Sequence, residues 1–146
     1  MSTKDLNFSV NGKSVGYTKY HGVARNFDLV VDEPEALGGE DSAPNPVEYL
    51  LAGYGGCLNV VFNLVAKELG IELKKLEINI SGDINPERFM GLSSEDRAGF
   101  KSIKVEIQLE TDADAETEQL LIQKAKDRCP INDNLSNPTP ISYVFN

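Results

Sequence analysis

Two cysteines, Cys57 and Cys129, carry the most distinctive chemistry in this sequence. The thiolate, not the thiol, is the nucleophile, and at an ordinary thiol pKa of about 8.5 only a few per cent is ionised at neutral pH. A reactive cysteine therefore needs a cation beside it. No lysine or arginine lies within one helical turn of Cys57, so the cation must come from elsewhere in the fold. The two cysteines are 72 positions apart, which leaves neither a C-x-x-C redox motif nor a zinc knuckle. His21, the only histidine, stands between Tyr20 and Gly22 and reads as a solvated turn residue rather than half of a Cys–His dyad. An arginine brought into an apolar site needs a carboxylate to offset its desolvation. Glu48, nine residues before Cys57, fits that role and equally fits helix capping. Taken singly, each cysteine reads equally as an inert core thiol.

The elements that position these residues are legible in outline. Leu6, Phe8 and Val10 alternate as a strand, Asn11-Gly12 signals a hairpin turn, and residues 14–20 can pair back. A third strand is expected from about Ala24 to Asp32, with Phe27, Leu29 and Val31 on one apolar face. Arg25 shares their parity, which makes it the arginine to watch; Arg88, Arg97 and Arg128 are the others. After a loop over residues 33–45, Asn45 as N-cap, Pro46 at the first helical position and Glu48 three residues past the cap open a helix that should run to Leu69 and stop at Gly70. That helix is apolar on nearly every side, as a central buried helix is. Gly53, Gly55 and Gly56 inside it suggest that another backbone approaches, a dimer partner being one candidate. At 100° per residue, Glu48 and Cys57 fall on opposite faces of it, about 13.5 Å apart along the axis.

Beyond the helix, Leu76, Ile78 and Ile80, and later Ile103, Val105, Ile107 and Leu109, mark two half-buried strands. An amphipathic helix from Asp114 to about Arg128 delivers its apolar stripe to Cys129, Pro130 forces a break or a new helical turn, and residues 139–145 read as a last strand. The order ββ(β)αββαβ is that of an α+β fold with sheet and helices segregated.

Composition bounds the rest. The chain's 146 residues make one domain, residues 1–146, and 40% hydrophobic with 25% charged residues is globular. A net charge of −9 disfavours a nucleic-acid or anionic-membrane partner. Neither a secretory nor a membrane-spanning segment is read, so the expected location is cytoplasmic. No phosphate-binding glycine loop and no His/Cys cluster points to a metal, flavin or nucleotide, so no cofactor is expected.

Three stretches resemble one family. NPVEYLLAGYGGCL at residues 45–58, RCPINDNL at residues 128–135 and, in support, VDEPEALGG at residues 31–39 are similar to the osmotically inducible protein C and organic hydroperoxide resistance family, OsmC/Ohr. With the matching element order, the resemblance covers nearly the whole chain. It implies an OsmC-like fold, an intertwined homodimer with long central helices enclosed by antiparallel sheets and active sites at the subunit interface. It further implies a Cys-based peroxidase for organic hydroperoxides and some hydrogen peroxide, with Cys57 peroxidatic, Cys129 resolving through a Cys57–Cys129 disulfide, and Glu48 holding the catalytic arginine. A dithiol or lipoyl-protein reductant would reset it. The chain departs from the family where the arginine is concerned: the loop over residues 33–45 contains none, and Arg25 stands closer to the LGG motif than the usual early-strand position. The alternative is a non-catalytic, ligand-binding or redox-sensing member that keeps an apolar pocket.

Overall fold

The computed structural model describes residues 4–146, which gather into two compact units divided between Leu50 and Leu51. In the first unit, β1 (Asn11–Ser14), β2 (Tyr20–Ala24) and β3 (Phe27–Val31) form an antiparallel sheet in the order β1-β2-β3. The β1–β2 register pairs Asn11 with Val23 and Ser14 with Tyr20, so Asn11-Gly12 lies inside β1 and the turn falls at residues 15–19. The hairpin is therefore not the expected one: residues 6–10 lie outside it, residues 15–19 form its turn instead of its second strand, and Gly12 opposite Gly22 leaves room for the Tyr20 ring over both. β2 and β3 are joined by the two-residue turn Arg25-Asn26, with Ala24 opposite Phe27. Arg25 has φ 56° there, so it belongs to the turn and not to the apolar face of a strand.

Asp32 ends this sheet as a fully buried carboxylate. It accepts hydrogen bonds from Thr18 Oγ1 at 2.5 Å, Ser42 Oγ at 2.7 Å and Ser42 N at 3.1 Å, which tie the hairpin turn and the long loop to one point. Those bonds, Thr18's foremost, hold the carboxyl far below its usual range. Gly39 lies so close to the Glu33 carbonyl that a Cβ would come within 1.9 Å of it, which accounts for the second glycine of the loop.

Helix α1 spans Pro46–Leu69 and ends at Gly70 with φ 68°. Its start is a capping box: Glu48 N donates to Asn45 Oδ1 and Asn45 N to Glu48 Oε1, both at 2.9 Å. In the second unit β4 (Leu73–Gly82) pairs antiparallel with β5 (Ile103–Thr111), so that Leu76, Ile78 and Ile80 stand opposite Leu109, Ile107 and Val105 on one apolar face. Helix α2 (Ala115–Asp127), capped by Asp114, and the short α3 (Pro130–Ser136), with Pro130 in its first turn, complete the chain. The core joins Tyr54, Leu58, Val61, Phe62 and Val65 of α1 to Leu121 and Ala125 of α2, with the apolar face of β4 and β5 packed against it. By length and hydropathy α1 could cross a bilayer, yet Phe62 and Val65 are wholly buried in this core, which makes it a core helix.

The α+β architecture stands as expected, but the two terminal strands do not form. Among the described residues, 6–10 and 137–146 form no strand, and Leu6, Phe8, Ile141, Tyr143, Val144 and Phe145 are largely exposed. Alternation selects a face, but a strand also needs a neighbour for its N–H and C=O groups. Of the helix glycines, Gly53 and Gly56 face open space among the described residues, and Gly55 meets the Ile80 side chain at 3.7 Å.

Candidate active site

Two turns of helix bring the cysteines together. Cys57 sits on α1 between buried Tyr54 and Leu58, and Cys129 caps α3 at the point where the buried stripe of α2, through Leu121 and Ala125, runs out. Their sulfurs lie 3.0 Å apart as free thiols, with Cys129 donating to Cys57. The environments differ. Cys129 is 1% exposed whereas Cys57 is partly open to solvent. Burial, and then the hydrogen bond to Cys57, push the Cys129 thiol above its ordinary value.

A second pair flanks the first. Tyr54, one turn before Cys57, donates its hydroxyl to Asn132 Oδ1 at 2.7 Å, and Asn132 in turn gives its backbone N–H to Cys129 Sγ at 3.4 Å and its amide Nδ2 to Lys126 O at 3.2 Å. Burial raises the Tyr54 hydroxyl pKa, with the neighbouring sulfurs adding to the effect. Neither residue stands out in the sequence. The available signal was spacing, since each lies three positions from a cysteine and so on the same helical face.

Two arginines of the second unit, Arg128 and Arg88, are engaged with other partners. Arg128, next to Cys129, is committed to Glu68 by a bidentate pair at 2.6 and 2.9 Å, and Arg88 donates to the carbonyls of Ser94 and Asp96. In the first unit, Arg25 is exposed at its turn, with its guanidinium 5.0 Å from the centre of the Phe27 ring. Glu48 is exposed and engaged in its capping box, and among the described residues no ion pair joins it to Arg25 within one copy. His21 pairs with Asp28 at 2.8 Å on the sheet. Among the described residues, no group of three or more His, Cys, Asp or Glu could hold a metal. Beside Cys57's helix, an open groove of about 460 Å³ is lined by Leu51, Ala52, Gly55, Ile78 and Ile80 among others.

The model of the family described as "OsmC-like protein" matches residues 39–144, which include both cysteines and Glu48. Among solved structures, an OsmC-like protein from Mycoplasma pneumoniae superposes with a TM-score of 0.78 at 18% identity, covering 92% of this chain and 90% of that one. An organic hydroperoxide resistance protein from Elizabethkingia anophelis gives 0.67 at 23% identity over 94% and 93% of the two chains. The organic hydroperoxide resistance protein OhrB of Bacillus subtilis gives 0.59 at 25% identity over 91% and 93%. At these identities the likeness to solved structures is one of fold. No curated protein matches the chain.

Proposed function

Because this chain belongs to the OsmC-like protein family, we propose that it is a Cys-based peroxidase that reduces organic hydroperoxides. The observation that carries this reading is the 3.0 Å approach of two free thiols of unequal access. Partly open Cys57 is the peroxidatic residue: its thiolate attacks one oxygen of the peroxide, the O–O bond breaks, the other oxygen leaves as the alcohol, and Cys57 becomes a sulfenic acid. Buried Cys129 resolves it, forming a Cys57–Cys129 disulfide with loss of water. A dithiol or a lipoyl protein then reduces the disulfide to two thiols. The same chemistry extends to hydrogen peroxide.

The cation is Arg25, held by Glu48, in a homodimer whose active sites lie between subunits. What supports a second copy is that, among the described residues, Arg128 and Arg88 of the second unit are engaged away from the sulfurs, Gly53 and Gly56 face open space, and residues 6–10 and 137–146 form no strand. The protein works in the cytoplasm, where such dithiols are available. Free-thiol titration with and without one equivalent of cumene hydroperoxide tests the peroxidase reading. Both thiols should be lost and then restored by dithiothreitol, with repeated turnover; thiols that survive the peroxide would overturn it.

The groove beside α1 favours a second reading, a ligand-binding or redox-sensing protein without turnover. Peroxide-independent retention of an apolar ligand, with no turnover in dithiothreitol, distinguishes it.

A further inference from the structure

We propose that Tyr54 and Asn132 are positioning residues: their hydrogen bond is a permanent clasp that keeps the first turn of α3 on α1, so that Cys129 captures oxidised Cys57 before a second peroxide does. The inference rests on the peroxidase reading for its consequence but on geometry for its existence. Tyr54 precedes Cys57 by three residues on α1, and Asn132 follows Cys129 by three at the start of α3. The O–H···O bond of 2.7 Å and the sulfur pair at 3.0 Å are therefore two adjacent ties between the same two helical turns. One is redox-dependent and the other is not. Tyr54 is buried, with 9% of its surface exposed, so its hydroxyl needs a protein partner, and Asn132 is that partner. Asn132 also meets the resolving sulfur directly through its backbone N–H. α3 has only 7 residues, begins just after the cysteine and buries none of its own side chains fully; Cys129 and Ile131 lie against the core, Arg128 is tied to Glu68 of α1, and the Tyr54–Asn132 bond adds a hydrogen bond from α1 to the first turn of α3 itself.

In the resolving step the Cys129 thiol attacks the sulfenic sulfur of Cys57, the S–S bond forms, and the hydroxyl leaves as water with the thiol proton. Its competitor is a second hydroperoxide, which oxidises the sulfenic acid to a sulfinic acid and is itself reduced to the alcohol. Loss of the clasp lowers the effective concentration of Cys129 at Cys57 and shifts this competition.

The test uses the full-length protein as Tyr54→Phe, which keeps the ring and removes the donor, Asn132→Ala, and the double variant. Two readouts are taken. Equilibration of the dithiol with a glutathione redox buffer gives the effective concentration of the pair without any peroxide, and mass spectrometry after graded cumene hydroperoxide gives the ratio of disulfide to Cys57 sulfinic acid. Each single variant should lower the effective concentration about three- to tenfold, the size of one net hydrogen bond, and should raise the sulfinic fraction. The double variant should be no worse than either single one. An unchanged effective concentration in Tyr54→Phe, or effects that multiply in the double variant, would overturn the clasp. If wild type is inert to peroxide while the glutathione equilibrium still shifts, the clasp stands and the peroxidase reading falls.

Discussion

Which sulfur meets a peroxide first is a matter of access and proton affinity. Cys129 is shut away and holds its proton more tightly than an ordinary thiol, so iodoacetamide between pH 7 and 9 should alkylate Cys57 first and Cys129 only after partial unfolding. Peptide mapping of the modified protein checks the order; equal labelling would reverse the assignment of roles. Cys129→Ser should consume about one equivalent of peroxide and then stop, whereas normal turnover with a dithiol would remove Cys129 from the cycle. The Cys57 alkylation curve should move to higher pH in Arg25→Ala if Arg25 supplies the cation, and superimposable curves would exclude it. At this scale the sequence is informative where residue type limits the options. Only two thiols exist, and their pairing was expected from two motifs rather than from any local rule. Tyr54 and Asn132, 78 positions apart, could not be joined without the fold. Alternation cannot carry an argument about Arg25, because its left-handed backbone takes it out of the strand.

Among the elements, the start of α1 offers a way to separate two duties of one carboxylate. Glutamine serves the capping box as well as glutamate does, so Glu48→Gln should leave thermal stability nearly unchanged while weakening any hold on a guanidinium. Asn45→Ala, by contrast, should cost about 1 kcal/mol in chemical denaturation with little direct effect on thiol reactivity. The loop before α1 hangs on Asp32, whose folded-state pKa is depressed by Thr18 and Ser42. A depressed carboxylate stabilises the fold above its unfolded pKa of about 4, and that contribution is lost as pH falls from there toward the folded value. Denaturant midpoints should thus be flat from pH 5 to 7 and decline below about pH 4, and Asp32→Asn should be less stable at pH 7 with a smaller decline in acid. The capping box, the stop at Gly70 and both long strands were legible because each is a local pattern. The place of the first turn was not, since it depends on which glycines a tyrosine ring must lie over.

The molecule as a whole leaves apolar surface without cover. On α1, Val60 and Leu64 are half exposed beside Gly56, and the terminal segments add Leu6, Phe8, Ile141 and Phe145. Light scattering at micromolar concentration should give twice the chain mass, and an interface of more than about 2,000 Å² is expected for a dimer of this kind; a stable monomer would defeat the proposal. A Cβ at Gly56 meets nothing within 4 Å among the described residues, so Gly56→Ala should leave the helix content intact and disturb only the association. The sequence shows such features as glycines in an apolar helix and as alternating termini, but it cannot say whether the neighbour they await is the same chain or another.

Residues 137–146, with the stacked Tyr143 and Phe145 rings 6.3 Å apart, bear on how the protein reaches its final state. If that segment acquires its ladder from a second copy, the last step of folding is a bimolecular event. Its rate should scale with the square of chain concentration, and the thermal midpoint should climb as the protein is concentrated. Refolding from denaturant across a hundredfold range of concentration would reveal this, since a fast unimolecular phase should be independent of dilution and a slower phase should lengthen with it. Removing residues 138–146 should abolish the slow phase and leave the fast one.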